Sequence, residues 1–493
     1  MGFSFSKPTA PAKVPTDTVL PFNYMDDQII FRDMRLQVSL CFDDVLNAEK
    51  LRGALARLLE MKGWRKLGAR LRFNSEGKLE YHLPATFDEY RPSFLYSFEH
   101  FESSIADHPV GSRLPRGGSD RPAIFDGGDK FNSLLGDPRM PRDYREWANS
   151  DTPQLGLRIV TFKDATCVTI TFLHCLTDAI GFGAILRAWL AILHEKEEEV
   201  PPFFGFDTDP MLAIFEKSQP PRFVLADRIL RGFPLFLFGV RTKFQSFWYG
   251  SEERVIFFPA EKVQQMRQDA LAELASQDPD ANDKPFISEN DLLSAWLARA
   301  LTRIERSASN RTLSIMNAFD CRGVLAQMGL IPSPHVALIT NCVNSCWTVL
   351  TTRQALEEPL GLLAMRVRKS LEEQRTPEQV EASLAESKSA LARTGYPILV
   401  GDSDMKMIML ASWGRGSLFA LDFSPAVIKV GTSLDKRHNQ PGRPSYISVM
   451  DITNFAVPSM GSAIGKDAKG NLWFRFRLRR DQWTQIEKQL KEL

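Results

Sequence analysis

The stretch CVTITFLHCLTDAIGFGAILRAW, residues 167–189, decides how the rest of the chain is read. Its first seven residues are almost all β-branched or aromatic, the composition of a strand buried on both faces. The strand closes at His174, a tight turn runs through Asp178, and Gly181, Phe182 and Gly183 open a helix. His174 therefore stands at the carboxyl end of a strand, where open α/β sheets keep their ligand crevices. An imidazole takes a proton near neutral pH and needs a contact to hold its tautomer, which the backbone of the turn can supply. Asp178 is placed either to orient that ring or to brace the turn through an ionic partner.

Outward from this unit the pattern alternates between strands and helices. Residues 29–42 and 155–162 read as strands, and Leu46, Leu51, Leu55, Leu58 and Leu59 recur at helical spacing. KLGARLRF and KLEYHL form a hairpin around Asn74-Ser75-Glu76-Gly77. Residues 84–150 are rich in Pro, Gly and Asp and predict loop with short helices. The helix after His174 is predicted over 181–198, ending in Glu195-Lys196-Glu197-Glu198-Glu199 before Pro201-Pro202. Residues 200–250 look like a crossover. Beyond it come a strand at 253–258, helices at 260–275 and 288–307, a strand at 312–319 and a long helix at 353–373. FALDF, YISVMDI and LWFRFRLR alternate as strands. The expected organisation is α/β in two halves, residues 1–200 and 251–493, joined by a linker at 201–250.

The 493 residues are 44% hydrophobic and 25% charged, ordinary globular usage that excludes a disordered or collagenous chain. Lys+Arg 61 against Asp+Glu 60 gives a net charge of +1, which supplies no global field for nucleic acid. The N-terminal MGFSFSKPTAPAKVP lacks the apolar core of a signal peptide. FPLFLFGV at 233–240, between Arg231 and Arg241, is too short for a bilayer, which needs about 20 residues. A soluble cytoplasmic protein without membrane insertion is expected.

Cys41, Cys167, Cys175, Cys321, Cys342 and Cys346 are too scattered for a disulfide framework. Cys342 and Cys346 have C-x₃-C spacing without a second pair, so no metal site is expected. The chain has no G-x-S-x-G elbow, no H-E-x-x-H and no phosphate loop. Gly414-Arg415-Gly416 lacks the third glycine of a dinucleotide turn.

Residues 174–179, HCLTDA, look like the H-x-x-x-D-G signature of the BAHD family of acyl-CoA-dependent acyltransferases. Trp189 follows on the next helix. Upstream, LRGALARLLE and WRKLGARLRFNSEGKLEY are similar to the family's helix, strand and hairpin. Downstream, SENDLLSAWLAR (288–299) resembles its S-x-x-D-x-L-x-A-x-x-W-R helix with Trp296 displaced. Asp320-Cys321-Arg322 and Asn341 fall where members carry D-x-R and a G-N strand. The family's D-F-G-W-G appears as Asp422-Phe423-Ser424-Pro425-Ala426, nine residues after Trp413. Ala411 precedes Ser412-Trp413, where members often carry Ser or Thr. The resemblance covers nearly the whole chain and is closest to the fungal branch, typified by trichothecene 3-O-acetyltransferase.

The resemblance implies the two-domain CoA-dependent acyltransferase fold of chloramphenicol acetyltransferase type. It implies transfer of an acyl group, acetyl first, from acyl-CoA to a hydroxyl or amine of a small secondary metabolite. No bound cofactor is implied; acyl-CoA is a co-substrate, and the enzyme is expected to be a monomer. His174 would be the general base in a direct attack, Asp178 a motif carboxylate paired with Arg322, and Ser412 and Trp413 walls of the substrate channel. Asp422 and Phe423 would brace the interface loop, which Pro425 should rearrange. Lys262 and Arg267 would meet CoA phosphates. The alternatives are a condensation-type enzyme fed by a carrier protein, whose His-His pair is replaced here by Leu173-His174, and a non-catalytic ligand-binding protein of the same fold.

Overall fold

The structure is a computed structural model that describes residues 11–217, 219–277, 284–305, 310–453 and 459–493. In chain order its elements include β1 (Met34–Phe42), α1 (Ala48–Glu60), β2 (Leu95–His100), β3 (Ala123–Asp126), β4 (Gly156–Thr161), β5 (Thr166–Leu173) and α2 (Ala179–Leu193). Then come α3 (Gly232–Tyr249), β6 (Ser251–Phe258), α4 (Ala260–Gln277), α5 (Glu289–Glu305), β7 (Thr312–Asp320) and β8 (Val343–Thr351). The chain finishes through α6 (Leu360–Gln374), α7 (Pro377–Thr394), β9 (Lys406–Ser412), β10 (Tyr446–Thr453), β11 (Met460–Lys466) and β12 (Leu472–Arg479).

Among the described residues, two large mixed sheets dominate. The first runs β10-β1-β5-β4-β2, and the second runs β8-β7-β9-β11-β12-β6-β3. Every residue of β5 is buried, as its composition predicts for a strand paired on both edges and covered on both faces. Below it, α1 and α2 pack their leucine and aromatic faces, and the Trp189 indole donates to Leu51 O at 3.0 Å. In the second sheet β9 alternates from Lys406 to Ala411. Ile408 and Leu410 enter the core beneath α4, α5 and α6, while Met407, Met409 and Ala411 face a cavity on the other side.

The linear division at residues 200 and 250 is crossed twice. β3, from the first 200 residues, pairs antiparallel with β6 in the second sheet. β10, from the last 50, pairs antiparallel with β1 in the first. The segment 201–250 is also more than a linker, because it contains the 18-residue α3.

Four other expectations change in detail. Residues 29–32 are a helical turn ahead of β1 rather than part of it. The helix predicted over 353–373 is two helices, Thr352–Glu357 and α6, broken where Glu358 is held extended by the ring of Pro359. FALDF is not a strand: Leu418–Ala420 form a 3₁₀ turn and Phe423 is wholly buried. The helix α2 also stops at Leu193, because His194 leaves the helical path and Glu195 adopts φ 61°.

The two sheets are joined by a buried ionic cluster. Arg475 on β12 donates to the carboxylate of Asp451 on β10, to Glu253 Oε2 on β6 at 3.1 Å and to Val449 O at 3.0 Å. Arg477 reaches Asp451 Oδ2 at 3.1 Å. Burial pushes the Asp451 carboxyl up, and the two guanidiniums outweigh it and hold it below its usual range. Removing one charge from such a cluster leaves its partners uncompensated, at about 3–5 kcal/mol. Asp451→Asn is accordingly expected to lower the unfolding free energy by that order, read as a lower urea midpoint, without altering the far-ultraviolet spectrum of the folded protein.

Candidate active site

The loop between β5 and α2 is built by one carboxylate. Asp178 caps α2: its Oδ1 accepts from Ile180 N at 3.1 Å and from Gly181 N at 2.8 Å. Its Oδ2 accepts from Arg322 Nη1 at 3.0 Å and from Cys342 N at 2.8 Å, both from the chain after residue 251. Arg322 in turn donates to Asp320 Oδ1 at 2.9 Å and to the carbonyls of Leu338 and Thr340 at 2.9 and 2.8 Å. Both side chains are buried. Burial alone would raise the Asp178 carboxyl, but the charge of Arg322 and the donated hydrogen bonds hold it below the usual carboxylate range.

Two glycines let this joint close. A Cβ on Gly181 would lie 2.1 Å from Thr177 Oγ1 and 3.3 Å from Arg322 Nη2. A Cβ on Gly183 would lie 3.2 Å from Cα of Gly416, which belongs to the turn after Trp413.

His174 is held from behind and open in front. Its backbone N–H donates to Met34 O at 2.8 Å, and its carbonyl accepts from Asn341 Nδ2 at 2.8 Å. Its ring lies 4.8 Å from that of Phe31 and lines the cavity. Nδ1 is enclosed without a hydrogen-bond partner. Burial holds the imidazole pKa below its ordinary 6.5, against the pull of Asp178.

Behind His174 lies a carboxylate that no motif announces. Asp26 Oδ1 accepts from both the backbone N and Nδ2 of Asn341 at 2.8 Å, and Oδ2 accepts from Thr340 Oγ1 at 2.7 Å. Its burial pushes the carboxyl up to about 7 in spite of these donors. Asp26 thus fixes the amide that holds the carbonyl of His174. Its signal in the sequence is only a polar Asp-Asp-Gln interrupting an apolar N-terminal segment.

The cavity, of about 1430 Å³, takes its lining from both sides of the joint. Phe31, Met34 and His174 come from the first half, Met316, Met407, Met409 and Trp413 from the second, and Leu235 and Phe238 from α3. Trp413 is buried and meets Phe182 edge-on at 6.0 Å between centroids. Ser412 is exposed at the rim and borders a second cavity of about 370 Å³, which shares Asn290 with the first. Ala411 lines the larger cavity and carries no hydroxyl.

Other residues singled out in the sequence lie apart from His174. Asp422 and Phe423 are absent from the cavity wall. Phe423 wedges between Phe42 at 5.1 Å and Trp189 at 5.6 Å, and the carbonyl of Asp422 accepts from His194 Nε2 at 2.9 Å. The Asp422 carboxylate accepts from Ser424 N at 2.9 Å, at the start of a 3₁₀ turn over Ser424–Ala426 that contains Pro425. Lys262 and Arg267 on α4 line neither cavity, and Arg267 Nε donates to Ile287 O at 2.8 Å. All six cysteines are buried and free, and among the described residues no group of three His, Cys, Asp or Glu could hold a metal.

Residues 139–435 match the model of the Transferase family. The chain is 44% identical to Acetyltransferase sphE of Aspergillus fumigatus, over 99% of this chain and 98% of that protein. It is 39% identical to Acetyltransferase adrJ of Penicillium roqueforti, over 100% of this chain and 99% of that one. Its fold is shared with the crystal structure of F. sporotrichioides TRI101 complexed with coenzyme A and T-2, at a TM-score of 0.67 and 17% identity, over 95% and 96% of the two chains. With full-length relatives of this kind and a family model covering more than half its length, the chain belongs to the BAHD-type acyl-CoA-dependent acyltransferases, in their fungal branch.

Proposed function

We propose that this O-acyltransferase moves an acetyl group from acetyl-CoA to a hydroxyl of an apolar secondary metabolite, with His174 as general base. The observation that carries this reading is the seat of His174: its ring lines the wall of a cavity lined from both halves, and its backbone is anchored by Met34 O and Asn341. With Nδ1 enclosed, Nε2 is the nitrogen available to a substrate. The acceptor hydroxyl gives its proton to Nε2 as its oxygen attacks the thioester carbonyl. The tetrahedral adduct then expels CoA thiolate, which takes the same proton back from the imidazolium. No acyl-enzyme is formed, and holding donor and acceptor together supplies much of the rate.

The two cavities meeting at Ser412 and Asn290 support separate approaches for donor and acceptor. The Met- and Phe-rich wall of the larger one suits a bulky apolar acceptor. T-2, bound with coenzyme A in the TRI101 structure, is an acceptor-sized molecule of that fold relative. The phosphates of CoA would remain outside the cavities. Lys262 is available to them there, and Arg267 less so, since it is tied to Ile287 and lies over Phe286. Action as a monomer in the cytoplasm belongs to the same reading, in which both halves of the chain line the site. In this reading Asp178 is a structural partner of the motif, because all its acceptor capacity is spent on Ile180, Gly181, Arg322 and Cys342.

The test follows free thiol during incubation with acetyl-CoA and hydroxylated acceptors. His174→Ala should reduce turnover by about 10²–10⁴-fold, with an unchanged melting temperature; a fully active variant overturns the mechanism. Because burial holds His174 below 6.5, the base is already neutral at pH 7. Activity should therefore be flat at neutral pH and fall only through an ionisation below 6.5; an acid limb centred above that value contradicts the assignment.

Asp178→Asn keeps a helix cap but removes the charge facing Arg322, so stability should drop by about 3–5 kcal/mol along with activity. The wild-type carboxyl titrates below its ordinary 3.8, so its stabilisation is present at neutral pH and is lost as pH falls through that lowered value. Unchanged stability with collapsed turnover would instead give Asp178 a direct chemical part.

A further inference from the structure

The helix α3 presents its most apolar side to solvent. At about 100° per residue, Phe233, Phe236, Val240, Phe244, Phe247 and Trp248 all fall within about 60° of the line through Phe233. These side chains are exposed, from 52% at Val240 to 87% at Phe247. Phe244 and Trp248 stack on one another at 6.0 Å. The opposite side is also committed: Leu235, Phe238, Thr242 and Ser246 line the large cavity. A helix normally turns such a stripe toward the core, and soluble monomers rarely expose a continuous apolar face of this size.

The charges around the stripe say what covers it. Arg241 and Lys243 stand about 80° to either side of the Phe233 line. Arg241 also donates to Asp404 O at 3.2 Å, Lys243 borders the cavity as well, and Arg231, immediately before the helix, is already paired with Glu386 at 2.8 Å. Residues 231–249 contain no Asp or Glu. The C-terminal end of the stripe carries Trp248, a ring suited to the boundary between hydrocarbon and water. An apolar stripe with cations along both margins matches a lipid surface, with rings among the acyl chains and cations at the headgroup phosphates. A second copy docked through the same face would set cation against cation along both margins.

We propose that α3 is a docking helix for an anionic lipid surface, lying in the plane of the bilayer. No described helix is long and apolar enough to cross one. Phe236 belongs to both the stripe and the cavity wall, so docking brings the rim of the cavity to the lipid, where an apolar acceptor would be concentrated. The proposal does not depend on which residues perform the chemistry.

The test is co-sedimentation of the full chain with phosphatidylcholine vesicles, with and without phosphatidylserine. The wild type should pellet with the mixed vesicles, less with phosphatidylcholine alone, and less again as salt screens the cations. The variant Phe244→Ser/Phe247→Ser/Trp248→Ser alters exposed side chains outside the cavity wall, so its melting temperature and thiol release should match the wild type. Its partitioning should fall at least about tenfold, from the apolar area it no longer buries. Wild-type protein that stays in the supernatant, or a variant that binds equally well, overturns the proposal. Equal binding to both vesicle types overturns the headgroup assignment. A wild-type dimer that the variant dissociates hands the face to a second copy and overturns it as well.

Discussion

The ion pair between Asp178 and Arg322 is the constraint on which the site depends. Each partner is fully engaged: the carboxylate accepts four donors, and the guanidinium donates to two carboxylates and two carbonyls. Taking both charges out of water is expensive, and only this saturation of hydrogen bonds offsets it. The pair performs two tasks with one set of atoms. It starts α2, and it fixes that start against the strand ends of the other half. His174, four residues before Asp178, inherits its place from both.

Asp26 works from the other side of the same turn. Through Asn341 it controls where the carbonyl of His174 points, so the histidine is clamped at its backbone while its ring is left to the cavity. The enclosed Nδ1 and the burial of the ring then act together. Both lower the pKa of the imidazole from its ordinary value, which suits the base proposed above.

What could be read in the sequence was what depends on local pattern. CVTITFL has the composition of a doubly covered strand, and Asp178 followed by glycines is a helix start. Arg322 and Asn341 were reached through the family resemblance, since no spacing rule links them to residue 174. Asp26 was missed because its partners lie more than 300 residues away and nothing local marks it. Pro359 is the local signal of the break within 353–373, since the residue before a proline is held extended. The exchange of β3 and β10 between sheets could not be read at all, because strand pairing is decided by which edges remain free. In the sequence, the apolar run at 233–240 shows only that it is too short for a bilayer span. Its direction relative to the core required the packing of α3.

The exchanged strands bear on how the protein is made. β1 and β5 leave the ribosome early, yet the outer edge of β1 is filled by residues 446–453. Until those residues emerge, on the order of tens of seconds after β5 at ordinary elongation rates, that edge presents unpaired amides and carbonyls to any passing strand. The first sheet therefore cannot mature as an independent unit during translation. The nascent chain has to be kept from pairing elsewhere until residues 446–453 have been synthesised.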